Sequence, residues 1–128
     1  MNDALAPGTS LIVTPCIHHL DAPQHVTRRN TVVLGLGMAT LVPGNRVSAI
    51  IVDDVDGITH AGLLVDASPP NSPRLVQVGH IGSSARHSSN PTFLSDVFVR
   101  VGGVGSERAA QPRSQKCGGS MPSERRYT

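Results

Sequence analysis

The chain has 128 residues and a mass of 13.4 kDa, room for one domain and not comfortably for two. Apolar residues make up 38%, charged residues 16% and aromatics 2%, which excludes a coiled coil and an aromatic stacking platform for single-stranded nucleic acid. Its longest nearly apolar run, Thr31 to Val42, falls far short of the ~20 residues of a membrane-spanning helix, so no membrane partner is expected.

The elements expected in chain order are short extended runs separated by turns. Leu11-Ile12-Val13-Thr14, Thr31–Leu34, Ala49–Val52, Leu63–Val65, Leu75–Val78 and Val97–Val101 are rich in β-branched residues. Pro43-Gly44-Asn45, Asp56-Gly57, Pro69-Pro70-Asn71-Ser72-Pro73 and Ser88-Ser89-Asn90-Pro91 lie between them, all of it turn chemistry. No stretch keeps the i, i+3, i+4, i+7 apolar spacing for three turns, so no long helix is expected. The chain reads as all-β.

Val32-Val33-Leu34, Ile50-Ile51-Val52 and Leu63-Leu64-Val65 are apolar at consecutive positions, as in strands covered on both faces or strands whose ends bend into a turn. The centres Val33, Ile51, Val65, Val78 and Val99 lie 18, 14, 13 and 21 residues apart. Solenoids show self-similarity at about 20–50 residues, so these spacings would mark successive faces of large coils with unequal loops. A small antiparallel sandwich fits them equally well.

The net charge of +2 is unevenly distributed. Residues 1–102 carry six Arg against seven Asp, and residues 103–128 carry four Arg and one Lys against two Glu. The folded part therefore has no basic stripe, and no nucleic-acid partner is expected. Residues 1–102 hold thirty Ile, Leu and Val, whereas residues 103–128 hold only Val104. Such a tail cannot offset its ordering entropy and is expected to be disordered. Cys16 and Cys117 lack CxxC or Cys/His ligand spacing, which leaves a disulfide between them open. The first eight residues have neither the basic nor the apolar region of a secretory signal, so the chain as it stands is expected in the cytoplasm with reduced thiols.

Thr14-Pro15-Cys16-Ile17-His18-His19-Leu20, Arg29-Asn30-Thr31-Val32-Val33-Leu34-Gly35-Leu36-Gly37-Met38-Ala39-Thr40-Leu41, Ala61-Gly62-Leu63-Leu64-Val65-Asp66-Ala67 and Asp96-Val97-Phe98-Val99-Arg100-Val101-Gly102-Gly103 carry a resemblance. The chain resembles the N-terminal coils of bacterial and fungal secreted proteins built on a right-handed, pectate-lyase-like parallel β-helix, often named for an appended coagulation factor 5/8 type domain. The resemblance spans residues 5–106. It implies a partial right-handed parallel β-helix of four or five coils, a glycan-active parent and polysaccharide as the partner class. Residues 1–106 are thus expected to form truncated coils, and residues 107–128 a tail produced by a frameshift. Codons for Ala109-Ala110-Gln111-Pro112-Arg113 can be chosen so that another frame reads Ser-Ala-Thr-Thr-Gln, close to the family continuation. Where the family tends to have Gly, this chain has Cys16, so strain or a changed turn is expected there.

Asp53, Asp54 and Asp56 before Gly57 have the composition of a hard-cation loop, but residues 1–102 contain no Glu and Asp-Gly is a common turn. A solvated turn is expected, with no metal. Glycoside hydrolysis generally takes two carboxyl groups about 5–9.5 Å apart, one with a raised pKa. Asp54, Asp56, Asp66 and Asp96 are the carboxylates within or beside the core strands, and none is assigned a catalytic role. His18, His19, His25, His60, His80 and His87 show no zinc-ligand spacing and read as solvated or strand-end residues. Leu34-Gly35-Leu36-Gly37 lacks the third Gly and the helix of a dinucleotide fingerprint and reads as a strand bend. Ser83 lacks a nucleophile elbow. The expected function is a non-catalytic remnant of a glycan-active β-helix protein, without cofactor and able to self-associate through an exposed end. The alternatives are a small carbohydrate- or protein-binding β module and a self-contained hydrolase on an unrelated sandwich.

Overall fold

The computed structural model describes residues 1–67 and 72–101. Cys117, the expected tail over 107–128 and most of the turn around Pro69 and Pro70 lie outside the described residues. In chain order come α1 (Asn2–Leu5), β1 (Leu11–Val13), β2 (Ile17–Leu20), β3 (Gln24–Val26) and β4 (Val32–Pro43). They are followed by β5 (Ile50–Val52), β6 (Thr59–Asp66), β7 (Val76–Val78) and β8 (Phe93–Arg100).

The strands form two sheets, one ordered β1-β4-β6-β8 with β2 also on β4, the other ordered β3-β5-β7. Every ladder is parallel. Parallel strands need a crossover, and here each crossover is the strand laid on the other sheet. From β3 onward the chain alternates strictly between the two, which makes it a parallel β-helix and excludes the antiparallel sandwich. The irregular spacing of apolar centres follows from that alternation. Leu11 pairs with Val33, 22 residues on, while Thr59 pairs with Phe93, 34 residues on. The described stack has four layers on the first sheet and three on the second.

Three strands run further than their β-branched centres. β4 continues through Gly35-Leu36-Gly37 with a register shift between Leu34 and Ala39, so the glycine pair is a bend inside a strand. The bend recurs in each layer as residues with positive φ: Gly37 (58°) and Met38 (61°) in β4, Gly62 (68°) in β6 and Asp96 (50°) in β8. In the first layer the same place is the gap between β1 and β2 at Thr14-Pro15-Cys16. Cys16 is absent from the positive-φ residues, so it carries no left-handed strain there. The strands are not covered on both faces: Val33, Ile50, Val52, Leu63 and Val65 are buried, while Val32, Leu34, Ile51 and Leu64 face outward. Consecutive apolar residues therefore reflect an apolar outer face, not a second covering layer.

Register stacks the inward residues into columns. Val26, Val52 and Val78 form one; Val33, His60 and Leu94 a second; Leu41, Val65 and Val99 a third. In each, the first two members are fully buried, whereas Val78, Leu94 and Val99 are 48%, 48% and 49% exposed. Burying an aliphatic side chain is worth about 1.5–3 kcal/mol, and this stack obtains it only between layers. At the opposite end α1 lies against the β3 edge. Asn2 on α1 donates from Nδ2 to Pro23 O (2.8 Å) and accepts the His25 N–H (3.0 Å), and Leu5 is fully buried. The helix thus satisfies main-chain groups at the β3 edge.

The bend column fixes the size of one residue. A Cβ on Gly62 would lie 2.5 Å from the Gly35 carbonyl oxygen, and the φ of +68° is costly for any other residue. Gly62→Ala is expected to lower unfolding free energy by about 2 kcal/mol or more, measured by urea denaturation. Gly44→Ala, whose Cβ would meet Leu20 O at an ordinary 3.5 Å, is expected to change it by less than about 0.5 kcal/mol.

Candidate functional site

The loops leaving β3, β5 and β7 continue the ladder of the second sheet. Asp53 N–H donates to Val26 O (3.0 Å) and Gly79 N–H to Val52 O (2.8 Å), so one loop stacks on the next. The acidic segment Asp53-Asp54-Val55-Asp56 therefore lies between a layer below and a layer above, and its side chains reach both. His25 Nε2 lies 2.8 Å from Asp53 Oδ1, and His80 Nε2 lies 3.9 Å from the same oxygen from the other side. Asp54 accepts the His80 N–H (3.3 Å) and is hydrogen-bonded by the Ser83 hydroxyl. His87 Nδ1 lies 2.5 Å from Asp56 Oδ1, with its Nε2 3.9 Å from Asp54 Oδ1. In the next turn Asn90 Nδ2 donates to Asn30 Oδ1 (2.9 Å). The amides meet because Gly57 separates them; a Cβ there would lie 2.4 Å from each.

The acidic segment was expected to be a solvated turn. Instead each of its three carboxylates is partnered across layers, by His25, His80, Ser83 and His87. These groups wall a cleft of about 220 Å³ lined by Asp53, Asp54, His80, Ser83 and His87 among others. The Ser83 hydroxyl above all, then the His80 N–H and the nearby imidazoles, hold the Asp54 carboxyl below its ordinary value against the opposing effect of burial. A glycosidic general acid needs the reverse, a carboxyl pushed upward. Asp66, the last residue of β6, is bound by the Arg100 guanidinium through Nε (3.1 Å) and the second terminal nitrogen, which raises the Arg100 pKa. Asp96 sits at the bend of β8. The structure thus gathers Asp54 and Asp56 with Asp53 and leaves Asp66 engaged in its own ion pair.

The histidines play four different parts. His25, His80 and His87 join the acidic segment, while His18 Nε2 meets Thr14 O at 3.0 Å and His19 is exposed. No group of three His, Cys, Asp or Glu among the described residues is placed to hold a metal ion. Ser83 Oγ accepts the Ala85 N–H (3.1 Å) beside its bond to Asp54, the geometry of a loop clasp. His60 was expected at a strand end or in solvent, yet it is wholly buried in the column between Val33 and Leu94. Neither ring nitrogen has a hydrogen-bond partner, and burial pushes its pKa down to about 4 from 6.5.

That burial makes a pH dependence. Unfolded chains bind the His60 proton below pH about 6.5 and the folded chain only near 4, so stability falls as pH drops through that window. The full difference corresponds to about 3 kcal/mol. Urea denaturation between pH 7 and 4 is expected to show a shallower loss for His60→Leu than for the native chain; equal slopes would refute the assignment.

The family model for the LAM55 pectate lyase-like domain matches residues 1–114. An exo-β-1,3-glucanase of Streptomyces sp. (strain SirexAA-E / ActE) is 53% identical over 109 residues, covering 85% of this chain and 18% of that protein. Two structures of sacteLam55A from Streptomyces sp. SirexAA-E, one of a variant in complex with glucose, superpose with a TM-score of 0.78 at 55% identity. They cover 80% of this chain and 18% and 19% of those chains. The chain thus spans about a fifth of the relatives it matches. These names support the pectate-lyase-like part of the resemblance and not the coagulation factor 5/8 naming. With parallel ladders throughout and a match over nearly its whole length, the chain belongs to the LAM55 pectate lyase-like domain family.

Proposed function

We propose that this chain supplies the opening layers of a glucan-active β-helix protein and turns over no glucan by itself. The observation that carries the reading is the coverage: 53% identity extends over 85% of this chain but 18% of an exo-β-1,3-glucanase. Polysaccharide, and β-1,3-glucan in particular, is the ligand class that this likeness brings to the chain. The electrostatics agree. Asp54, beside the cleft, is shifted away from the value a proton donor requires.

Purified chain 1–128 incubated with laminarin is expected to release no reducing sugar above a buffer control. A small catalytic centre tolerates little misplacement, about 1 Å costing roughly 100-fold in rate, so a working site would respond sharply to substitution. Turnover that Asp54→Asn, Asp56→Asn or Asp66→Asn abolished would overturn the proposal.

A further inference from the structure

The long turn between β7 and β8 meets the acidic segment through His87, whose two ring nitrogens face two different carboxylates. Nδ1 lies 2.5 Å from Asp56 Oδ1, and Nε2 lies 3.9 Å from Asp54 Oδ1. The side chain is 28% exposed, but Nε2 itself is shut off from solvent and has no hydrogen-bond partner. Asp54, lowered chiefly by the Ser83 hydroxyl, is an anion at neutral pH. A neutral imidazole carries one N–H and one lone pair. With the proton on Nδ1, the shielded lone pair of Nε2 faces the Asp54 carboxylate. With the proton on Nε2, the lone pair of Nδ1 meets Asp56 at 2.5 Å. Neither neutral tautomer suits both neighbours. The imidazolium, a donor at both nitrogens, suits both.

We infer that His87 is a proton-operated clasp: the turn over 79–90 closes fully on the acidic segment only when the imidazole carries both ring protons. Proton uptake gives Nε2 a hydrogen to donate to Asp54 while the bond to Asp56 is kept, and both become charge-assisted. Proton loss leaves a shielded lone pair against a carboxylate, a cost that opening the turn to water relieves. The proton and the closed turn therefore favour each other, and the turn is held more firmly at lower pH. That trend is opposite in sign to the effect of His60, whose burial weakens the whole stack as pH falls.

The surrounding charges single out this histidine. Arg28 and Arg29, from the turn before β4, line a neighbouring cleft together with Asp54 and Asp56. His80 lies 3.9 Å from Asp53 Oδ1, which His25 approaches to 2.8 Å from the layer below. His25 and His80 are 45% and 65% exposed, so water reaches their rings in either protonation state. The shielded Nε2 of His87 has no such recourse. Asp54 and His87 both stand on the cleft of about 220 Å³, so closing the clasp narrows it. The inference does not depend on the glucan-related reading, because it uses only the two ring nitrogens and the groups they face.

Hydrogen–deuterium exchange of the full 128-residue chain tests it, read as protection factors between pH about 8 and about 6. Protection of peptides over 79–90 is expected to rise about tenfold toward the lower pH, while core peptides over 31–34 and 63–65 show no rise. His87→Gln cannot take up a proton and is expected to hold the turn at a low level that does not change with pH. Asp56→Asn can donate an amide N–H to a neutral Nδ1, leaving Nε2–H for Asp54, so the turn is expected to stay protected across the range. The double variant His25→Gln, His80→Gln is expected to keep the native response. Circular dichroism reports whether each variant keeps its fold; should His87→Gln lose it, Asp56→Asn and the double variant decide. Native protection that is flat with pH would overturn the inference. So would a response that survives His87→Gln, that persists in Asp56→Asn, or that vanishes with His25 and His80.

Discussion

Stacking of inward side chains between successive parallel layers is the constraint on which the rest of this structure depends. Each layer is a single turn of chain and has no interior of its own, so an apolar side chain is removed from water only by the layers above and below it. Val26 and Val52, or Leu41 and Val65, are buried because another layer stands over them; Val78 and Val99 belong to the same columns and are not. The two ends of the stack differ for the same reason. At one, α1 supplies both an apolar side chain, Leu5, and polar partners for the strand edge through Asn2. At the other, β8 presents half-exposed inner residues and is the last strand among the described residues.

A stack of this kind has two further problems, and the chain solves each once per layer. The long strands of the first sheet must bend, and the bend falls at residues with positive φ: Gly37 and Met38, then Gly62, then Asp96. Gly62 and Gly35 approach so closely there that neither has room for a Cβ. The loops must also stay in step, because a slip of one residue would turn every inward side chain outward. Asp53, Asp54 and Asp56 meet that need by bonding to His25 in one layer and to His80, Ser83 and His87 in the next. Asn30 and Asn90 bond past Gly57 in the same manner.

The β-branched centres were legible in the sequence because each sits in the middle of a ladder, where branching and burial coincide. Their ends were not: Thr59-His60-Ala61 and Phe93-Leu94-Ser95 lie before the bend residues Gly62 and Asp96, and a glycine or aspartate reads locally as a stop rather than as a kink within a continuing strand. β2 and β3 were missed because Ile17-His18-His19-Leu20 and Gln24-His25-Val26 have little β-branched character and are strands only by pairing with β4 and β5. The polar bridges left a fainter mark. His25 and Asp53 are 28 residues apart, Asp54 and His80 26, and Asp56 and His87 31, all within the range of layer-to-layer separations. Polar residues repeating at the layer length would have distinguished a cross-layer bridge from a solvated turn, but that length becomes known only once the strand partners are.

The same arrangement bears on where acid–base chemistry can arise in such a fold. The donors around Asp54, a carboxylate that bridges layers, favour its anionic form. A proton donor for glycoside cleavage needs the opposite surroundings, apolar enough to raise a carboxyl group toward neutrality. The column interior offers them, as His60 demonstrates: the burial that pushes its imidazole down to about 4 would push a carboxyl up. Yet the fully buried positions among the described residues hold aliphatic side chains with Gln24, Thr31 and His60, and no acid. Asp53, Asp54 and Asp56 stand where loops must be tied, and the desolvated sites stand where layers must pack. Chemistry of the kind named for its relatives calls for a layer in which those two requirements meet in one residue, and none of the described layers is built that way.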